Sequence, residues 1–246
     1  MSIILPFKNK LRQFLIDYKI DLTKNLEYDR LTNVILKTVL KSDTQTIDVG
    51  CHKGEILDLI LKYAPQGHHY AFEPLPDFYK NLVEKYSNQK NVSIYNNALS
   101  NANGETEFTF VKNNPAYSGF IERDYDNKEV QIEKIKVQKA VLDEIIPKDA
   151  NIGLMKIDVE GAELQVLEGS VETLKRCKPI IVFEHGMGAS DFYGTLPKDI
   201  FNILHDSCGY QIYTLKSFTG KKNQLTYEGF NAKFFSRKDY YFVASQ

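Results

Sequence analysis

The chain reads as an α/β protein built on a mainly parallel sheet with helices on both faces. Two observations predict it. From Thr44 onward, short apolar runs alternate with stretches of helical periodicity, which is the rhythm a parallel sheet and its crossover helices require. The first run ends in Asp48-Val49-Gly50 with Gly54 just beyond, and the second ends in Glu73. That pattern describes a buried strand, a tight turn into a helix, and an acid placed where a βαβ unit grips ribose hydroxyls.

Taken in order, residues 7 to 41 place Phe7, Leu11, Phe14, Leu15, Tyr18, Leu22, Leu31, Val34, Ile35, Val39 and Leu40 at helical spacings, and two helices are expected there. A strand over 45–50 leads to a helix near 54–64, a strand over 68–73 to a helix near 76–87, and a strand over 92–95 to the loop Asn97-Ala98-Leu99-Ser100. Residues 104 to 139 break the rhythm. Glu105 to Val111 and Glu133 to Gln138 alternate with period two, so they read as an inserted β-pair, and the polar stretch Lys112 to Lys128 between them reads as a mobile acceptor loop. The α/β rhythm resumes with a strand over 152–158, a helix near 162–175, a strand over 179–184 and a helix near 196–207. Two further strands, 210–215 and 240–244, end the chain. One domain over 44–246 with an N-terminal helical extension over 1–43 is the expected organisation.

The spacing of the glycines bears on the ligand. Gly50 and Gly54 form G-x-x-x-G, not the G-x-G-x-x-G that seats a pyrophosphate on a helix N-terminus, so a ligand without phosphates fits better and an NAD-dependent oxidoreductase becomes the rival. Glu73 follows Gly54 by 19 residues. Together with Ile47 to Glu55, Phe72-Glu73-Pro74, Asn97 to Ser100 and Lys156-Ile157-Asp158-Val159-Glu160-Gly161-Ala162-Glu163, this resembles the FkbM family of S-adenosylmethionine-dependent methyltransferases over roughly residues 44 to 186. Cys51 stands where the family usually has a small alanine, and a thiol is only slightly larger.

The resemblance implies a class I methyltransferase (Rossmann-like) fold: a seven-stranded, mainly parallel sheet closed by a terminal antiparallel hairpin. It also implies an S-adenosylmethionine site made of Asp48, Gly50, Cys51, His52, Gly54, Glu73, Asn97 and Ala98. Glu73 would accept two ribose hydroxyls, Asp48 would face the methionine ammonium, His52 its carboxylate, and Asn97 with Ala98 the adenine. The expected activity is O-methylation of a hydroxyl on a sugar, glycan or polyketide-like molecule, and a further rival is a non-catalytic S-adenosylmethionine-binding module inside a larger biosynthetic complex. A hydroxyl needs a general base, for which Asp158, Glu160 and His185 are the candidates at the strand ends. Ser118 in the acceptor loop and Glu184 beside His185 are assigned to the acceptor. Carboxylates and an imidazole at adjoining strand ends also suit a divalent ion, as in catechol-type O-methyltransferases; contact with acceptor hydroxyls is the preferred reading, and no metal ligand is assigned.

Composition narrows the partners. The 246 residues carry a net charge of −1, which removes the electrostatic reason to expect nucleic acid. Cys51, Cys177 and Cys208 are odd in number and follow no metal-binding spacing, as in a reducing compartment. The N-terminus lacks the order of a secretory signal, and no run approaches the ~20 apolar residues of a spanning helix. A cytoplasmic protein, with homo-oligomerisation left open, is expected.

Overall fold

A computed structural model describes residues 23–123 and 130–246. Its main sheet has seven strands in the order β3-β2-β1-β7-β8-β10-β9. These are β1 (Gln45–Val49), β2 (His69–Phe72), β3 (Val92–Tyr95), β7 (Ile152–Ile157), β8 (Ile180–Glu184), β9 (Gln211–Thr214) and β10 (Tyr241–Ser245). Strands β1, β2, β3, β7 and β8 run parallel, and β10 runs antiparallel to both β8 and β9. The central strands are covered on both faces, and so apolar residues occur in them without strict alternation: in β7, Ile152, Leu154, Met155 and Ile157 are all fully buried.

On one face lies α1 (Lys24–Val39), begun by Thr23, whose hydroxyl accepts from the Leu26 amide. It packs Tyr28, Leu31 and Ile35 onto Val182, Leu215 and Val243. Its Leu36 meets Leu154 and Ile60 of α2 (Glu55–Tyr63). The second of the two N-terminal helices expected from sequence is therefore part of the layer that covers the sheet, while the first falls outside the described residues. The opposite face is covered by α5 (Glu163–Glu168), α6 (Val171–Cys177), α7 (Pro197–Phe201, continued by a π-helical turn over 202–207) and α9 (Tyr227–Ser236). At the β2–β3 end, α3 (Pro76–Lys85) packs Leu82 against Leu57 and Ala71.

The inserted pair forms a second sheet, order β4-β6-β5, in which β5 (Gly104–Val111) and β6 (Ile132–Ala140) are antiparallel. The loop expected at 97–100 contributes a two-residue strand, β4 (Ala98–Leu99), parallel to β6. Two helical stretches differ from expectation. The single helix expected over 162–175 is split, because a Cβ at Gly169 would stand 2.2 Å from the Ser100 carbonyl and the chain there approaches a neighbouring backbone. The new N-terminus of α6 is capped from outside by Asp143 of the short helix α4 (Leu142–Ile145), whose two carboxylate oxygens each accept at 2.8 Å from the Glu172 and Thr173 amides. Between β9 and β10, the short helix α8 (Leu215–Thr219) and α9 occupy residues in which no helix is expected from sequence.

Candidate active site

A cleft of ≈ 950 Å³ opens beyond the carboxyl ends of β1, β2, β7 and β8, the position where open α/β sheets bind their ligands. It has room for two small molecules side by side. Its walls come from the β1–α2 loop, Glu73 to Leu75, Asn97 to Leu99, residues 114–118 with Phe120 and Arg123, the strand-end carboxylates, and Asn25, Tyr28, Asp29 and Thr32 of α1.

At one end the β1–α2 loop and the end of β2 are tied together through Glu73. One of its oxygens accepts from the His52 amide at 2.8 Å and the other from the Leu75 amide at 3.0 Å. Each oxygen keeps a lone pair for a ligand hydroxyl. Burial raises the carboxyl pKa to about 7 against the pull of those two amides. Asn96, which carries no role in the sequence reading, donates to the Glu73 and Pro74 carbonyls and holds the turn. Asn97, Ala98, Cys51 and His52 line the cleft, with His52 at φ +48° and its ring stacked on Phe78 at 4.5 Å.

The glycines serve the protein more than the ligand. A Cβ on Gly50, at φ +74°, would lie 1.9 Å from the Asp158 carbonyl of the neighbouring strand, although Gly50 does border the cleft. Gly54 does not line it: at φ +79° it caps α2, and a Cβ would meet the Tyr86 hydroxyl at 2.3 Å. Asp48 is also withdrawn from the cleft. It lies fully buried beneath Lys156, 4.0 Å from its ammonium, and neither oxygen has a hydrogen-bond partner. Burial lifts its pKa to about 6 despite Lys156.

The other end gathers the strand-end carboxylates. Asp158, Glu160 and Glu184 each present an oxygen within 4.8 Å of the others. Asp158 Oδ2 accepts from the Tyr241 hydroxyl at 2.6 Å and pairs with Lys156 at 3.0 Å. Burial alone would raise its pKa, but Lys156 and Tyr241 outweigh burial and hold it below the ordinary carboxylate range. Glu160 and Glu184 go the other way: burial and then the neighbouring negative charges push both above that range. Glu160 lies at φ +58° with Oε2 2.6 Å from Arg123 Nη2, and the same guanidinium donates to the Gly188 carbonyl and covers the Tyr117 ring. Glu163 is buried and accepts from the Val159 and Gly161 amides, shaping the turn that presents Glu160.

His185 is not in this group. It points into the opposite layer, fully buried between Phe230 and Phe234, with Nδ1 3.0 Å from Ser190 Oγ. Burial depresses its pKa to about 3. Side chains alternate across a strand, so when Glu184 faces the cleft its neighbour faces the core; that signal was present in the sequence. Ser118 borders the cleft, but its hydroxyl oxygen accepts from the Val111 amide at 3.0 Å and fixes the loop to β5. Lys156, Arg123 and Tyr241 were not singled out from sequence. Lys156 was within reach of it, since a lysine in a mostly apolar strand two residues before Asp158 shares its face and demands a buried counter-charge.

The pattern of the methyltransferase FkbM domain matches residues 48–212. The hexuronic acid methyltransferase AglP of Haloferax volcanii is 27% identical over 139 residues, covering 56% of this chain and 53% of the relative. A solved methyltransferase FkbM from Methylobacillus flagellatus KT superposes with a TM-score of 0.52 at 16% identity, over 83% of this chain and 44% of the other. The chain thus spans about half the length of each of these relatives. No described helix is long and apolar enough to cross a membrane.

Proposed function

The chain belongs to the FkbM methyltransferase family, and on that premise we propose that it transfers a methyl group from S-adenosylmethionine to a hydroxyl of a sugar or glycan. The observation that carries the proposal is the division of one cleft into two chemistries. Glu73, held open by two backbone amides, suits a ribose. The carboxylates at the ends of β7 and β8 suit a hydroxylated acceptor beside it. The name of the Haloferax relative, a hexuronic acid methyltransferase, supports a glycan acceptor.

When bound, S-adenosylmethionine supplies an electrophilic methyl on a sulfonium. In this reading Glu73 accepts the ribose hydroxyls, Asn97 and Ala98 border the adenine, and Cys51 with His52 flank the methionine part. The acceptor oxygen forms its new bond to the methyl carbon as the carbon–sulfur bond breaks, its electron pair going to sulfur, and the hydroxyl proton passes to Glu160. Glu160 is preferred as base over Asp158, which two donors hold as a weakly basic anion. A carboxyl raised by burial is the stronger base once ionised. Asp158 would add fixed negative charge to the cleft wall beside Glu160. Lys156 pairs with Asp158 and Arg123 with Glu160, so this reading assigns the cluster to the acceptor and not to a metal, and a chelator is expected to leave turnover unchanged. Three free thiols fit a reducing, cytoplasmic setting.

The test is a calorimetric titration with S-adenosylmethionine, S-adenosylhomocysteine and NADH, followed by a screen of hydroxylated glycosides. Both adenosyl ligands should bind, Glu73→Ala should weaken them, and NADH should not bind. With an acceptor in hand, Glu160→Gln should cut kcat by roughly 10²–10⁴ while donor affinity holds. Failure of the adenosyl ligands to bind folded protein would remove the proposal.

A further inference from the structure

A single tyrosine outside the carboxylate cluster joins the acceptor loop to the turn that carries Glu160. Tyr193 ends the 3₁₀ turn Ser190–Tyr193. Its hydroxyl oxygen accepts from the Phe120 amide at 2.9 Å and from the Ile121 amide at 3.3 Å. Its ring occupies the space that side chains would need at two glycines. A Cβ on Gly119 would come within 2.8 Å of its hydroxyl, and one on Gly161, at φ +111°, within 2.7 Å of its ring carbons. Gly119 belongs to the acceptor loop and Gly161 directly follows Glu160. Two residues beyond Ile121, Arg123 returns to Glu160 at 2.6 Å.

The turn that holds Tyr193 is itself anchored. Ser190 Oγ lies against buried His185 Nδ1, the Ser190 amide donates to the Gly186 carbonyl, and the Gly119 backbone pairs with Thr109 of β5 in both directions. An arginine held at a fork of carbonyl, ring face and carboxylate works only if its backbone is fixed, because its long side chain otherwise loses the geometry to rotamer freedom.

We infer that Tyr193 is a positioning residue that sets the Arg123–Glu160 pair, so that the docking of the acceptor loop governs the protonation of the base. The inference rests on the reading of Glu160 as proton acceptor, but its measurement does not depend on turnover. Among the described residues, the titratable groups facing Glu160 are Asp158 from the same strand end, Glu163 from α5, Glu184 from β8, Tyr241 from β10 and Arg123 from the loop. Of these only Arg123 is a cation, and it alone depends on Tyr193.

The experiment is an NMR pH titration of protein carrying glutamate labelled at the side-chain carboxyl carbon, with Glu160→Gln identifying the resonance. Arg123→Gln should move the Glu160 titration upward by roughly one pH unit. Tyr193→Phe keeps the ring between the two glycines and removes only the acceptor oxygen; it should move the titration in the same direction. Gly119→Ala, which pushes against that hydroxyl, should do likewise. A shift in Arg123→Gln with none in Tyr193→Phe, in protein with an unchanged circular dichroism spectrum, overturns the role of Tyr193. No shift in either overturns the pairing itself. Loss of turnover in Glu160→Gln tests the choice of base separately.

Discussion

His185 shows how one residue's surroundings replace the role its sequence neighbours suggest. A histidine after a strand-end glutamate is a natural candidate base, yet a neutral ring clasped between Phe230 and Phe234 has no path to an acceptor. It leaves a stability signature instead. Its pKa falls from the ordinary value near 6.5 to about 3 on folding. Between those values the unfolded chain binds the extra proton, so His185 weakens the fold as pH drops below about 6.5, by up to ~1.4 kcal/mol per pH unit. Glu73, raised to about 7, and the other raised carboxyls Asp48, Glu160, Glu163 and Glu184 act in the opposite sense, so wild-type melts alone mix these contributions. The difference between wild type and His185→Gln, followed by thermal melts from neutral pH to about 5, should isolate the histidine. The variant should lose less stability on acidification. At the same scale, Glu73 stands at the cleft the sequence pointed to, because the acid that closes β2 is placed by strand length alone. Arg123 could not be found that way, since its partner Glu160 lies 37 residues along the chain and only the folded loop brings them together.

At the scale of elements, strands were more legible than helix ends. The runs at β1, β2, β7 and β8 are mostly buried and carry apolar residues on both faces, with Asp48, Lys156 and Glu184 as the charged exceptions, and their ends fall within one or two residues of expectation. The split between α5 and α6 was not legible, since a glycine within a helical pattern carries no record of the Ser100 carbonyl that approaches it. Nor was the cap on α6, supplied from another helix by Asp143. Replacing Asp143 with alanine should therefore cost about 1 kcal/mol, read as a lower urea midpoint with unchanged slope, although Asp143 lies well outside α6 in sequence. Helix α9 escaped notice because it buries only Phe230 and Phe234, too few for a clear periodic stripe.

For the whole molecule, α1 is part of the layer that covers the sheet. It covers Val182, Val243 and Leu154 of three strands and also walls the cleft through Asn25, Tyr28, Asp29 and Thr32. A chain starting at Thr44 would expose this face, and we expect it to lack a cooperative thermal transition. Leu36→Ala in the full chain should cost about 2–5 kcal/mol, measured by denaturant unfolding. A truncated chain that melts cooperatively would instead make α1 an appended element.

The sequence by itself determined the α/β class, the succession of the main strands along the chain, the cleft at their carboxyl ends and the family, because burial period and loop chemistry are local and are written in neighbouring residues. Only the tertiary structure decided which acids reach the cleft. Asp48 and Glu73 both end apolar runs, but Lys156 covers the first while two amides present the second. Burial and the charges of residues distant in sequence set those outcomes, and neither is a property of a motif.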